Sequence, residues 1–327
     1  MNRGYIFLLF ATLFFSSMEV VLKLVAQDFH PMQINCTRFL IGGMLLFPFA
    51  MRGLKKHGAH LTISSWKNFF LLGFCGIFVS MMLYQCSILY MPASAVSVLF
   101  SCNPVLVLLF AWLILRSRIL PQHIIALLLE ITGALFIINP LQTHLDPFGV
   151  ALVLLSAAAF ALYAVLGKKA CAQYSGVAVT CFSCLAGSAE MLLLIGLSHV
   201  PAVAQALSSL GLERFACIPF MQGYTTHNLA VFLYICVGVT AGGYACFFLG
   251  MEATSPMQGS LVFFFKPVLA PLLAMFVLGE TIPLAMWTGI AIILIASLIS
   301  MLPTLHLFAS VFPMKAKSMR AKSSGGH

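Results

Sequence analysis

FFFKPVLAPLLAMFVLGE, Phe263 to Glu280, is an apolar helical stretch with one lysine, Lys266, directly before Pro267. A lysine at the centre of a membrane helix costs about 3 kcal/mol on the insertion scale, so it should face a partner or a watery cavity. Pro267 removes a backbone donor and predicts a bend at that depth. The stretch has an earlier counterpart: FSCNPVLVLLFAWLILRSRI, Phe100 to Ile119, aligns with Phe263 to Ile282 at an offset of 163, pairing Asn103 with Lys266 and Pro104 with Pro267. Ser97, Phe100, Pro104, Val105, Leu106, Leu109, Ala111, Leu115 and Ile119 are identical in the later copy. A weaker echo at an offset of 145 joins Gly4, Leu9, Phe15, Val20 and Lys23 to Gly149, Leu154, Phe160, Val165 and Lys168. This is an internal repeat, and the segment from Ser198 to Asn228 absorbs the difference between the offsets.

The composition sets the solvent. A chain of 327 residues with 61% hydrophobic and 8% charged residues is no ordinary soluble domain, where about 25% are charged; it reads as a polytopic, all-α integral membrane protein. The net charge of +9 sits in short loops and the tail, where it governs orientation, and gives no sign of a nucleic-acid partner. The ten cysteines are scattered through apolar segments like small hydrophobes. The one CxxC, Cys181 and Cys184, lacks a second pair or a histidine cluster, so no metal site and no cofactor are expected. The first apolar run contains Glu19 and Lys23 and reads as a retained helix rather than a signal peptide.

A bilayer core needs about 20 apolar residues per helix. On that ruler about ten spans are predicted: Gly4 to Val25, Met32 to Met51, Asn68 to Tyr90, Ser94 to Leu115, Gln122 to Asn139, Phe148 to Gly167, Val177 to Leu197, Leu229 to Gly250, Met257 to Leu278 and Pro283 to Met301. With a cytoplasmic N-terminus, Arg3, Arg52, Lys55, Lys56, Lys67, Arg116, Arg118, Lys168, Lys169, Lys315, Lys317, Arg320 and Lys322 all fall inside and Arg214 alone outside; both termini are therefore predicted to be cytoplasmic. Five spans per repeat is an odd number, so the second repeat enters the membrane upside down. The expected organisation is a first repeat over 1–140, an inverted second over 148–303 and a basic cytoplasmic tail over 304–327. Inverted repeats are the structural basis of alternating access and favour transport over catalysis.

The first two helices, with Gly4, Lys23, Pro31 and Arg38 before FLIGG, the NPV and KPV helices, and the ending Leu278-Gly279-Glu280 resemble EamA-type members of the drug/metabolite transporter superfamily over nearly the whole chain. The resemblance implies a ten-helix carrier that exports or exchanges amino acids and other small metabolites. The first repeat departs from the pattern: it ends Leu115-Arg116-Ser117, with no counterpart to Glu280.

The polar residues inside spans are the candidate substrate contacts. Lys266 and Asn103 stand near the midplane, the ammonium to bind a carboxylate and the amide to add hydrogen bonds; the alternative is a lysine that only ties helices together. Pro104 and Pro267 are candidate hinges. Glu19 lies four residues before Lys23, the favoured ion-pair order; it either neutralises Lys23 or binds an amine or a proton. Arg38 keeps its charge and is a permanent anion partner, or an outer gate with Glu19 or Asp28. Tyr84 and Tyr244 are candidate pocket walls, and Gly42-Gly43 and Gly242-Gly243 permit close helix approach. Glu130 and Glu190 fall within spans, while Glu252 and Glu280 fall near span ends and read as solvated or capping. There is no HExxH, GxSxG or P-loop signature, so no enzyme chemistry is expected, and a proton or other ion gradient, or the substrate's own gradient, is expected to drive transport. The leading reading is a secondary carrier of amino acids or related amine-carboxylates in a bacterial-type inner membrane. A carrier of a nucleotide-like or vitamin-like molecule, and an integral-membrane enzyme or non-transporting membrane partner, stay open.

Overall fold

A computed structural model describes residues 3–116, 121–138, 145–209, 213–254, 259 and 262–311. Among them every regular element is a helix, as expected for a chain whose backbone polar groups must be satisfied inside lipid. The long elements are α1 (Arg3–Leu24), α2 (Pro31–His57), α3 (Ile63–Tyr90), α4 (Ala93–Leu115), α5 (Pro121–Ile138), α6 (Pro147–Tyr174), α7 (Gly176–Ser198), α8 (Leu229–Ala253), α9 (Val262–Leu278) and α10 (Leu284–Val311), with a short helix Pro201–Ser209 and a 3-10 turn Glu213–Phe215 in the α7–α8 connection. Seven of these, α1 to α4 and α6 to α8, are long and apolar enough to cross a bilayer; the apolar parts of α5, α9 and α10 are shorter. The tail residues 312–327, with Lys315, Lys317, Arg320 and Lys322, and the expected start of the ninth span at Met257 lie outside the described residues. A belt of exposed Leu, Phe and Ile side chains, such as Leu9, Phe10, Leu13, Leu193 and Phe276, covers the outside; patches of that extent mark a lipid-facing surface.

Local sequence sets the boundaries. Pro31 and Pro147 stand in the first turns of their helices, where a missing N–H costs nothing. The Asp146 carboxylate caps α6 by accepting from Phe148 N at 2.8 Å. Gly58 closes α2 in the left-handed region at φ 61°. Two helices contain π-helical segments, Gly73–Ser80 in α3 and Ile235–Gly243 in α8. These are repeat equivalents at the offset of 163, and π segments of this kind concentrate at functional sites.

The two halves interlock. Helix α2 packs along α7, α4 against α9 and α5 along α10, each beside its own repeat equivalent, while α1 inserts between α8 and α9 and α6 between α3 and α4. Glycine makes the closest approaches. A Cβ at Gly42 would stand 2.9 Å from Thr240 Cγ2, and one at its equivalent Gly187 2.6 Å from Ile77 Cβ; Ile77 and Thr240 are themselves equivalent.

The helix ends fix relative direction. Gly4, at the start of α1, packs on Gly250, Ala253 and Thr254 at the end of α8, where Lys168 of α6 also donates to the carbonyls of Met251 and Thr254. Lys23, near the end of α1, donates to the carbonyls of Ile88 (2.5 Å) and Met91 (3.0 Å) at the end of α3, where Gly149 at the start of α6 also packs. The start of α1 thus meets the end of α6 and the end of α1 meets the start of α6, so these equivalent helices run in opposite directions.

Close packing at Gly73 makes a stability prediction. A Cβ there would lie 2.5 Å from the backbone N of Gly187 and 2.9 Å from Ser183 O, whereas one at the exposed Gly196 of α7 meets nothing within 4 Å. Gly73→Ala is expected to destabilise the purified protein by about 1–3 kcal/mol through overpacking, seen as a lower melting temperature in detergent. Gly196→Ala is expected to leave that temperature unchanged or raise it, because alanine removes about 0.5–1 kcal/mol of helix penalty.

Candidate functional site

The centre of the protein is an aromatic cluster built from three repeat-equivalent pairs, Phe15 with Phe160, Tyr84 with Phe247 and Phe100 with Phe263, all buried. Phe15 and Phe160 rings stand 6.5 Å apart and Phe100 and Phe263 5.7 Å apart. Tyr244 joins from α8, its ring 5.2 Å from Phe15 and 5.3 Å from Phe39. The offsets of 145 and 163 in the sequence pair these rings, but only the fold brings the three pairs onto one centre.

Into this cluster project the charges. Lys266 and Glu19 are both completely buried and form an ion pair, Nζ to Oε1 at 2.5 Å. The ammonium also lies over the rings of Phe100 (4.7 Å), Tyr84 (5.5 Å) and Phe263 (5.8 Å), an arrangement in which ring faces stabilise a desolvated cation. The Tyr84 hydroxyl donates to the same Glu19 Oε1, which leaves Oε2 buried without a hydrogen-bond partner. Ser16 Oγ, one turn before Glu19 on α1, is likewise buried and unpartnered. Lys23 takes no part: its ammonium is engaged on the α3 carbonyls. The predicted pairing within α1 is therefore replaced by a pair between α1 and α9, since four residues along a helix also carry Lys23 toward the membrane edge, where carbonyls at the end of α3 are free to accept.

Arg38 is also fully buried, its guanidinium 4.5 Å from the Phe39 ring centre. Its Nε, Nη1 and Nη2 have no hydrogen-bond partner, and the titratable groups in electrostatic range are Tyr244, Tyr84, Cys236 and Cys184. The gate pairs considered from the sequence do not form: Glu19 is bound to Lys266, and Asp28 accepts from Asn228 Nδ2 at 2.9 Å. Tyr84 binds Glu19 and lies within electrostatic range of Arg38 without hydrogen-bonding it.

Asn103 lies at the start of the second part of α4 and donates to Ala157 O of α6 at 2.9 Å, leaving its buried Oδ1 free. Here the helix breaks. α4 is helical over Ala93–Phe100 and again over Asn103–Leu115, with Ser101 and Cys102 between. Pro104 has no N–H for the Phe100 carbonyl, while the Ser97 and Ser101 hydroxyls bond back to Ser94 O and Ser97 O, each at 2.7 Å, a pattern that bends helices. In the second repeat α9 runs on through Pro267 and Pro271.

Four further carboxylates lie away from the centre. Glu280 accepts from Ala93 N (2.7 Å), Ser94 N (3.0 Å) and Ser94 Oγ (2.6 Å), capping α4 from the end of α9. Glu252 accepts from Gly176 N at the start of α7 and stands 3.2 Å from His57 Nε2. Glu130 is buried beside Cys102 with both oxygens unpartnered, and half-buried Glu190 neighbours Cys75. Among the described residues no group of three or more His, Cys, Asp or Glu is arranged to hold a metal.

The sequence model of the EamA-like transporter family matches residues 2–139 and 147–302. The chain belongs to the EamA-like transporter family. An uncharacterized transporter of Clostridium kluyveri is 31% identical over 308 residues, 92% of this chain and 93% of the relative. Protein PecM of Dickeya dadantii is 26% identical over 74% of this chain and 76% of its own length. Human solute carrier family 35 member F3 matches only 26% of this chain, at 39% identity. These relatives place the family in the drug/metabolite transporter superfamily. A crystal structure at 17% identity shares the fold, with a TM-score of 0.64 over 92% of this chain and 98% of that one.

For this EamA-family chain the central pair is directly testable. Glu19→Gln leaves a buried lysine without its carboxylate and is expected to destabilise the protein by about 3–5 kcal/mol; Lys266→Met added to Glu19→Gln should restore most of the loss. Tyr84→Phe removes one hydrogen bond to a charged group, worth about 1.5–3 kcal/mol. Thermal melts of the four proteins in one detergent read all three effects, and a single variant no less stable than wild type would show that the ion pair holds nothing.

Proposed function

We propose that the chain is a secondary transporter that exchanges or exports small amine-carboxylates across a bacterial inner membrane by alternating access of its two inverted halves. The observation that carries this reading is a buried centre holding unsatisfied groups of both kinds: the acceptors Glu19 Oε2, Ser16 Oγ and Asn103 Oδ1, and the donors of Arg38. Buried polar groups in native proteins are normally paired, so such a centre matches a cargo that brings its own donors and acceptors. A substrate ammonium fits Glu19 Oε2. A substrate carboxylate fits Arg38 and, once the ion pair opens, Lys266. Tyr84 and Tyr244 wall the site, and Pro104 and Pro267 supply the hinges. The opposite directions of the repeat-equivalent helices α1 and α6 support alternating access, because exchanging the conformations of the halves would open the site to the other side.

Glu19 also offers a route to ion coupling. A proton taken up by its carboxylate releases Lys266 toward substrate, so the proton and a substrate carboxylate load together, one on each member of the pair.

Reconstitution tests this reading. Proteoliposomes containing the purified chain alone are expected to show saturable flux of at least one member of a radiolabelled amino-acid and metabolite panel, assayed with and without a pH gradient. The Glu19→Gln/Lys266→Met double variant, which keeps the centre uncharged at the pair, is expected to lose that flux at least tenfold while remaining folded. Undiminished flux in this variant would remove the pair from the substrate path. For orientation, single cysteines in a cysteine-depleted background should be labelled by an impermeant thiol reagent in intact cells at position 214 and not at position 56. Labelling at 56 would reverse the membrane orientation.

A further inference from the structure

The protein has eight Asp and Glu residues, and the structure places every one of them. Glu19 is committed to Lys266 and Tyr84, Asp28 to Asn228, Asp146 to the start of α6, Glu252 to His57 and Gly176, and Glu280 to the start of α4. Glu130 and Glu190 stand beside Cys102 and Cys75, and Glu213 lies in the α7–α8 connection. None is within ion-pair distance of Arg38. The buried centre therefore holds one carboxylate against two cations, and the second cation has no internal counter-charge.

A fully buried guanidinium with all three nitrogens unpartnered is among the costliest arrangements a protein interior can hold. Unlike lysine, it does not shed the cost by losing its proton. Its planar fork of donors matches a carboxylate in a two-pronged pair. Its surroundings suit such a guest: the Phe39 ring lies against the guanidinium with Tyr244 packed edge-on to that ring, and Tyr84, within electrostatic range, holds Glu19 of the neighbouring pair. The repeat equivalent of Arg38 is Ser183, whose hydroxyl hydrogen-bonds Tyr163 at 2.8 Å, so the uncompensated charge belongs to one half only.

We infer that Arg38 is an anion site completed by the cargo, and that the transported molecule is an organic acid of net charge −1 whose carboxylate occupies the Arg38 fork. The inference rests on the substrate site proposed above and narrows its class: a zwitterion leaves the centre with one excess positive charge, whereas an amine-carboxylate with a second acidic group neutralises it. Asn35 Oδ1 and Gln85 Oε1 are also buried without partners and are available to the donors of such a molecule.

Thermal melts of the full-length protein in detergent test this, with glutamate and aspartate as acid probes of net charge −1, glutamine as the neutral match and inorganic phosphate as an oxyanion that is not a carboxylate. Without ligand, Arg38→Met is expected to melt above wild type, because it removes an unpaired buried charge, while Arg38→Lys keeps the charge and melts no higher than wild type. Glutamate should raise the wild-type midpoint and glutamine should not; the rise should vanish in Arg38→Met and shrink in Arg38→Lys, which lacks the fork. The inference is overturned if no acid probe shifts the wild type, if glutamine equals glutamate, if phosphate alone acts, or if the shift survives in Arg38→Met. Arg38→Met melting below wild type would likewise overturn it by assigning the arginine to the fold. Loss of flux in the Glu19→Gln/Lys266→Met variant tests the transport reading separately, so either result stands without the other.

Discussion

The ion pair between Glu19 and Lys266 is the constraint on which the rest of the centre depends. Either charge alone at that depth costs several kcal/mol, and the pair is tolerable only because the two side chains meet at 2.5 Å with a tyrosine hydroxyl on the same oxygen. The partners come from α1 and α9, which belong to different repeats. Sliding one half against the other would therefore pull a buried charge from its partner. Such a motion becomes cheap only when both charges are answered from elsewhere, a proton or a substrate ammonium on Glu19 and a substrate carboxylate on Lys266, and this links occupancy of the site to movement of the halves in the proposed cycle.

Comparison of the repeats separates scaffold from chemistry. The anchors Lys23 and Lys168 grip equivalent carbonyls, Ile88 and Met91 in one half and Met251 and Thr254 in the other. The glycine contacts of Gly42 and Gly187, the π segments and the three pairs of rings follow the same relation. The charges do not. Glu19 is matched by Ala164, Arg38 by Ser183, Lys266 by Asn103 and the Tyr84 hydroxyl by the bare ring of Phe247. What both halves share builds the packing, and what one half has alone gives the centre its charge; in the proposed cycle the first serves the two opposite-facing conformations and the second the choice of cargo.

Most of the helices were legible because lipid enforces long apolar runs and the repeat doubles each signal; the observed bounds of α1, α4, α5 and α7 lie within one residue of those expected, while α3 begins five residues earlier. The importance of Lys266 was also legible, since one cation in an apolar run has to be satisfied. Its partner was not. Sequence proximity pointed from Glu19 to Lys23, but a helix places these a full turn apart in depth, and the choice between neighbours is made by tertiary packing that no spacing records. The break at Ser101–Cys102 was half visible: Pro104 announced a disturbance, while α9 carries an equivalent proline and runs on. The serines at 97 and 101 back-bond within the first repeat, and of their counterparts only Ser260 is a serine, position 264 being Phe. The cover formed by the α7–α8 connection, where Gln33 Nε2 donates to Phe220 O and Gln222 O and Tyr224 OH donates to Thr37 Oγ1, had no signal beyond its length.

The broken helix also connects the site to one end of the molecule. The first part of α4, Ala93–Phe100, is held at its start by Glu280 and released from regular helix at its end by Ser101 and Cys102. Its last residue, Phe100, lies over the Lys266 ammonium. In the proposed cycle this segment, with a carboxylate clasp at one end, a backbone break at the other and a ring on the central cation, would couple the two: opening the clasp would let it tilt about the break and shift Phe100 from Lys266, and a substrate that drew Lys266 from Glu19 would displace Phe100 and load the clasp. The equivalent of Glu280 in the first repeat is Ser117, which has no carboxylate, so this coupling exists at one end only. In the proposed cycle the two openings are therefore chemically different events, one requiring release of the Glu280 cap on α4 and the other release of Glu252 from Gly176 and His57 and of Lys168 from the α8 carbonyls.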